Sequence, residues 1–293
     1  MKKRGVVLGV ILVFVVAALL GYTISKKQIM DGIEHSYQAD GWKFFFSSQT
    51  LRAIDEFEMY LIHDKKNYYA LSGSGWSYYE LEDFEKAAEF FEKAILSSIP
   101  DDFALRGLGR SYYRAYALTS DPKKGDGLFA KSESALKRAI ALWPSSDAYT
   151  VLGRLYLLRA RSASAEEFYT KAHEAFSQAD ALNPKSAQIR NLIAFTSYAK
   201  DVRFHQPQLN ASHIALLYKE SLEIRPTWQA YAGLGLMQLR QGDVQSAVFN
   251  YNKSLEIAQN LEALRGLGLS LLAQEKYDEA THHFESLSKE YPD

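Results

Sequence analysis

The feature that most constrains this chain is a phrase it writes more than once. "LRGLG" stands at Leu105–Gly109 and again at Leu264–Gly268, and a relative, "YAGLG", at Tyr231–Gly235. Two glycines one residue apart suggest either a phosphate-cradling loop or one structural unit copied along the chain. A G-x-G-x-x-G fingerprint needs a third glycine at 112, 238 and 271, where the chain has Tyr112, Gln238 and Leu271. A phosphate loop is excluded.

Counting forward from the second glycine exposes a common grammar. Gly235 is followed by Ala247, Tyr251 and Ser254, and Gly268 by Ala280, Phe284 and Leu287, at offsets of 12, 16 and 19. Gly75 gives Ala87, Phe91 and Ala94, and Gly41 gives Ala53, Phe57 and Tyr60. Gly41 to Gly75 is a step of 34 residues, in the range of helical repeat arrays. Each unit reads as two helices, with apolar residues at helical spacing such as Leu264, Leu267 and Leu271. A glycine inside a helix costs about 1 kcal/mol relative to alanine, so it needs a reason. Close approach of the second helix supplies one, with the alanine at +12 as the matching small residue and the aromatic at +16 filling the space between.

This pattern resembles the tetratricopeptide repeat family, through "YALSGSGWSYYELEDFEKAAEFFEKAI", "YAGLGLMQLRQGDVQSAVFNYNKSLEI" and "LRGLGLSLLAQEKYDEATHHFESLSKEYP". Pro100, Pro144, Pro184, Pro226 and Pro292 fall at repeat ends, where a proline stops the second helix. The resemblance implies an all-α superhelical solenoid of about seven repeats, at 34–67, 68–101, 102–145, 146–186, 187–227, 228–260 and 261–293. In the third to fifth repeats the second helix is displaced by about 11, 7 and 8 residues, since Gly109 to Ala139, Gly153 to Ala179 and Ala194 to Ser221 span 30, 26 and 27 instead of 19. "TSDPKKGDGLF" reads as a loop, "RARSASAEEF" as lengthened helices and "DVRFHQPQLNASH" as a turn. Stacked side by side, 120–127, 160–168 and 200–213 would form a ledge, either for a partner or as drift in tolerated loops.

The resemblance also implies where a ligand would sit: the family binds peptides or protein segments along its concave face, lined by the first helices. The matching positions here are Trp42, Phe45, Tyr69, Trp76 and Tyr79, then Phe103, Arg106, Arg110, Tyr113 and Arg114, then Arg154. Arg106, Arg110 and Arg114 share one helix face, where like charges cost about 0.2–0.5 kcal/mol per pair. An acidic segment or C-terminal carboxylate of a partner would offset them, and so would internal pairing with Glu80 or Asp147. The two-carboxylate clamp of the chaperone-binding members wants Lys and Asn where Arg106 and Arg110 stand, so it is not carried over. Leu236, Leu239, Leu269 and Leu272 suggest an apolar groove for a helix, or self-association.

The amino terminus sets Lys2, Lys3 and Arg4 before an uncharged, mostly apolar run from Gly5 to Ile24. Twenty residues of helix span about 30 Å, the thickness of a bilayer's hydrocarbon core. Residues 1–33 therefore read as a signal anchor and linker. A cleaved signal peptide cut after Ala18 competes, although the apolar run continues through Leu19 and Leu20. Lys26 and Lys27 on the far side are outweighed by the three leading cations and the amino terminus, which keeps that end in the cytoplasm. The repeats are then expected outside it, in a bacterial periplasm. The alternative is the same architecture facing the cytoplasm as a docking receptor for chaperones or client proteins.

Net charge −1 offers no basic field for nucleic acid, and the absence of cysteine removes disulfides and thiolate sites. His282 and His283 are adjacent, poor geometry for one metal and more in keeping with solvated surface. His205 and His213 have no carboxylate at metal-ligand spacing. Asn210-Ala-Ser212 is a glycosylation sequon only in a eukaryotic secretory setting. No nucleophile, cofactor or metal motif stands out, so the expectation is a non-enzymatic scaffold without cofactor, binding protein partners and organising a membrane or envelope complex.

Overall fold

A computed structural model describes residues 39–97, 101–163, 165–204 and 210–291. The anticipated span 5–24, its linker, Pro100, His205 and Pro292 lie outside these residues. Every regular element described is an α-helix, and the chain divides into two compact units at Ile99/Pro100. The first unit holds α1 (Ala39–Phe46), α2 (Thr50–His63), α3 (Tyr68–Glu80) and α4 (Phe84–Ser97). The second holds α5 (Asp102–Leu118), α6 (Pro122–Leu142), α7 (Ser146–Ala163), α8 (Glu166–Leu182) and α9 (Ala187–Arg203). It continues with α10 (Ala211–Ile224), α11 (Trp228–Arg240), α12 (Val244–Ile257), α13 (Leu261–Ala273) and α14 (Tyr277–Glu290). Within each unit every helix packs on the next, as tandem hairpins require. Among the described residues no helix is long and apolar enough to cross a membrane.

Side chains at the ends set the helix lengths. Asn67, Asp101, Ser186, Asn210, Thr227, Asp243 and Asn260 each cap a helix by accepting a backbone N–H three residues on, satisfying an orphan donor. Asn210 of the sequon is thus the cap of α10. Pro144, Pro184 and Pro226 each stand two residues past a second helix, and the preceding Trp143 and Arg225 are extended. In the four compact repeats the hairpin turns on one left-handed residue, seven places after the anchoring glycine: Ser48, Glu82, Gly242 and Glu275. Only one of the four is the glycine that this conformation favours.

Both glycines of the repeated phrase are close-approach positions, and they serve different rings. The second lies under the ring of its own repeat: a Cβ on Gly75 would meet Phe91 at 2.8 Å, on Gly153 Phe176 at 2.6 Å, and on Gly268 Phe284 at 2.5 Å. The first lies under the ring of the preceding repeat: Gly73 meets Phe57, Gly233 meets Tyr218 and Gly266 meets Tyr251, each at 2.2 Å. Phe57, against Gly41 and Gly73, and Tyr251, against Gly235 and Gly266, are each sandwiched between first helices of consecutive repeats, which joins one hairpin to the next. At +19, serine replaces alanine where its hydroxyl has an acceptor: Ser221 donates to the Ala187 carbonyl and Ser254 to that of Trp228, the opening residues of their first helices.

The extra length of the middle repeats is helical, which corrects the loop expected at 119–129. Asp121 caps α6 by accepting from Lys123 and Lys124, with Pro122 in the first turn, so α6 runs 21 residues. The lengthening read at 159–168 is present in α7 and α8, which have 18 and 17 residues. The turn expected after Lys200 begins later, since α9 continues to Arg203.

Candidate functional site

The groove register divides between the two units. In the first, Trp76 lies edge-on to Tyr79 at 5.6 Å and to Phe91 at 5.3 Å, and Tyr79 meets Phe84 at 5.3 Å. Trp42 is only 8% exposed, enclosed by Phe45, Phe46 and Phe57. It belongs to the core of the first hairpin and is no groove-lining surface, because its ring packs edge-on against Phe57 of α2. Tyr69 remains well exposed. On the same unit, Tyr78 donates to Glu58 across 3.0 Å; burial and that carboxylate push its hydroxyl up to about 12.

In the second unit α5 lies directly against α7, and the arginines bridge them. The Arg106 guanidinium donates to Asp102 at 2.9 Å, one turn earlier on α5, and to Asp147 on α7 at 3.3 Å. Arg110 donates to the other Asp147 oxygen. Asp147 thus sits between two cations and offsets the repulsion that their four-residue spacing implies. Of the two alternatives for these arginines, internal pairing is the one realised at Arg106 and Arg110, and Asp147 is its acceptor. Asp102 is an additional acceptor that the register of the groove does not single out, although Asp102 and Arg106 stand four residues apart on one helix. Tyr113 and Arg114 are half-buried on the last turns of α5.

Arg154 differs from them. It follows Gly153 as Arg110 follows Gly109, is half-buried, and its Nε is buried with no acceptor. The next helix, α9, contributes Phe195 at the matching position, with Arg161 over its ring at 5.2 Å, and Asn191 one turn before. Further along, Leu269 and Leu272 on α13 are 45% and 40% exposed.

A second cluster, unanticipated from sequence, holds the lengthened ends of α5 to α8 together. Phe129 meets Tyr116 at 5.8 Å and Phe168 at 5.6 Å, with Arg159 over its ring at 5.2 Å. Arg159 also donates to Asp126 at 2.6 Å, and Lys171 lies over Phe168 at 5.2 Å. Tyr156 donates to Glu133 at 2.7 Å, and burial with that carboxylate raises the Tyr156 hydroxyl well above its ordinary value. Burial alone would raise Glu133, but hydrogen bonds from Lys137 and Tyr156 and the charge of Lys171 hold it below 4.5. Cations on ring faces and satisfied carboxylates make this end a rigid minor core.

The histidines are structural elements of the helices. His283, expected as solvated surface, is half-buried and donates from Nε2 to the Leu264 carbonyl at 2.8 Å, its ring edge-on to Phe284 at 5.9 Å. His282 is exposed. His213 lies in the first turn of α10. Among the described residues no group of three metal-ligating side chains converges.

Sequence models of the tetratricopeptide repeat match residues 68–98, 124–180, 229–261 and 262–293, together more than half of the chain. No match was found among curated proteins. Among solved structures, the fold is similar to a tetratricopeptide repeat protein from Parabacteroides merdae (16% identity, 80% of this chain, 83% of that one, TM-score 0.53). It is also similar to a chain of the APC/C hetero-tetramer Cut9-Hcn1 (15% identity, 82% of this chain, 44% of that one, TM-score 0.59). A third is YrrB, a tetratricopeptide repeat protein with an unusual peptide-binding site (14% identity, 71% of this chain, 96% of that one, TM-score 0.50). At these identities the likeness is one of fold. With its paired helices, its ring-and-glycine joints and these matches, the chain belongs to the tetratricopeptide repeat family.

Proposed function

We propose that this protein is a non-enzymatic scaffold, anchored in a membrane by residues 5–24, that holds a segment of a protein partner against its first helices. The repeats lie on the extracytoplasmic side. The observation that carries the binding reading is the state of the first-helix row in the second unit. Leu269 and Leu272 stand 45% and 40% exposed at groove register, on the same row as half-buried Tyr113 and Arg154. Large apolar side chains left in water along the row that the family uses for ligands are what a bound segment would cover. YrrB, with its peptide-binding site, supports the same use of the fold. Tetratricopeptide repeat proteins are in general interaction scaffolds rather than enzymes. The anchor rests on the sequence: three cations, then twenty uncharged residues, then two cations.

Spheroplasts carrying the chain with a photo-crosslinking residue at Leu269 test both parts. The expected outcome is a protein adduct that stays in the membrane fraction through an alkaline wash, with the repeats digested by protease added outside. Release by the wash would overturn the anchor. Protection from protease would favour the cytoplasm-facing docking receptor, and the absence of an adduct would overturn the groove.

A further inference from the structure

The groove register carries arginines in two consecutive repeats, and the structure treats them differently. Gly109 lies under Leu136 and Gly153 under Phe176, so the residues that follow, Arg110 and Arg154, occupy the same place on α5 and α7. Arg110 reaches the next first helix and meets Asp147, in the opening turn of α7. Carried one repeat on, the position of Asp147 is Gln188, in the opening turn of α9, an exposed neutral amide. The internal acceptor is missing where Arg154 would use it. Arg154 makes no hydrogen bond or ion pair among the described residues, yet its Nε is shut off from solvent. The side chain is half-buried, with one guanidinium N–H shut off from water and no anion beside it, so a ligand carboxylate would supply the charge-assisted contact that Arg110 has in Asp147.

On the neighbouring first helix, α9, Phe195 stands at the matching position, with Arg161 of α7 over its ring at 5.2 Å. On the α9 side, Asn191 is 9% exposed; its Nδ2 donates to Thr227 at 2.9 Å, while its Oδ1 has no partner. That oxygen is an acceptor, so it suits a backbone N–H of a bound segment and takes no part in holding a carboxylate.

We propose that Arg154 is the anion-binding residue of the groove, taking a carboxylate of the bound protein segment on α7. This rests on the groove reading above. Arg106 and Arg110 are already neutralised by Asp102 and Asp147 and serve the wall between α5 and α7. The carboxylate is either an acidic side chain or a free C-terminus, since a guanidinium fork accepts both alike.

A displayed library of random short peptides, presented internally and at a free C-terminus, is selected on the full chain in detergent and in parallel on Arg154→Met. On the wild type we expect enriched peptides that share one carboxylate. Its conversion to the amide should weaken binding about tenfold, as loss of a charge-assisted contact does. On Arg154→Met that conversion should cost nothing, and Arg154→Lys should keep the preference at lower affinity. Amidating the C-terminus of the selected peptides separates a terminal from a side-chain carboxylate. Because Arg154 has no internal partner among the described residues, Arg154→Met should melt no lower than the wild type. Selected peptides that bind Arg154→Met and wild type equally, or a clear drop in its melting temperature, would overturn the assignment while leaving the groove standing. Failure of the wild type to enrich any peptide would remove both.

Discussion

Seven residues after each anchoring glycine of the compact repeats, the backbone turns through the left-handed region. At Gly242 φ is 83°, and at Glu275 it is 60°. The hydrogen bonds around the two are the same. Gly242 N–H donates to Leu239 and Asp243 N–H to Gln238, as Glu275 N–H donates to Leu272 and Lys276 N–H to Leu271. This is the glycine-favouring way to end a helix, closing its last carbonyls. A side chain with a Cβ pays about 1 kcal/mol or more for that conformation, and glycine none. Glu275 is exposed and forms no ion pair among the described residues, so its side chain offers little in return. Glu275→Gly should therefore stabilise the chain by about 0.5–1 kcal/mol, read as a higher urea midpoint with an unchanged slope. A lower midpoint would mean that the gain in unfolded-chain entropy outweighs the relieved strain.

At the scale of the helix, one small-residue register, glycine in six copies and Ala194 in the fifth, locates the hairpins, because a second-helix side chain lies close against each of the six glycines. The register reveals the ring from its own repeat but not the ring from the repeat before, which is why the paired spelling G-x-G has only half an explanation in sequence. Reading 119–129 as a loop fails for a physical reason. Pro122, Gly125 and Gly127 weigh against a helix by propensity, but Pro122 sits in the first turn, where its missing N–H is harmless, and Asp121 supplies the cap. The Asp-Pro pair is the available signal. Of the site residues, the match between Arg106, Arg110 and Asp147 and its absence at Arg154 and Gln188 are visible from register, whereas the burial of the Arg154 Nε depends on packing that no single sequence reveals. The lengthened ends are held by Phe129, so Phe129→Ala should cost about 3–5 kcal/mol locally. Hydrogen exchange should then accelerate in the last turns of α5 and α7 and the first turns of α6 and α8, while α11 to α14 keep their protection. Equal acceleration along the whole second unit would show that this cluster is no separate minor core.

For the molecule as a whole, stability in a repeat array is close to a sum over neighbours, so one weak step limits the array. The step from α8 to α10 is the acid-sensitive one. His173 on α8 is half-buried; burial first, then the charge of Lys200 on α9 and the neighbouring His213 on α10, lower its pKa below 6.5, with Glu174 on its own helix opposing. Lys200 is itself tied to Thr170 at 3.1 Å and Glu166 at 3.3 Å, which fixes it close by. A histidine with a depressed folded pKa takes up its proton more readily in the unfolded chain. Its contribution to stability is therefore complete above the unfolded value, declines as pH falls through about 6.5, and levels off below the folded value. Glu133 acts in a lower window: held below 4.5 in the fold, it contributes stability above that value that is lost only as pH falls through its folded pKa. Between about pH 7.5 and 5 the melting temperature should fall with acid, while Glu133 stays ionised. His173→Gln should flatten that slope without lowering the value at the upper end. A wild type that melts alike at both ends of this range would show that His173 carries its proton in the folded array as readily as in the unfolded chain, and that Lys200 beside it is too well solvated to matter.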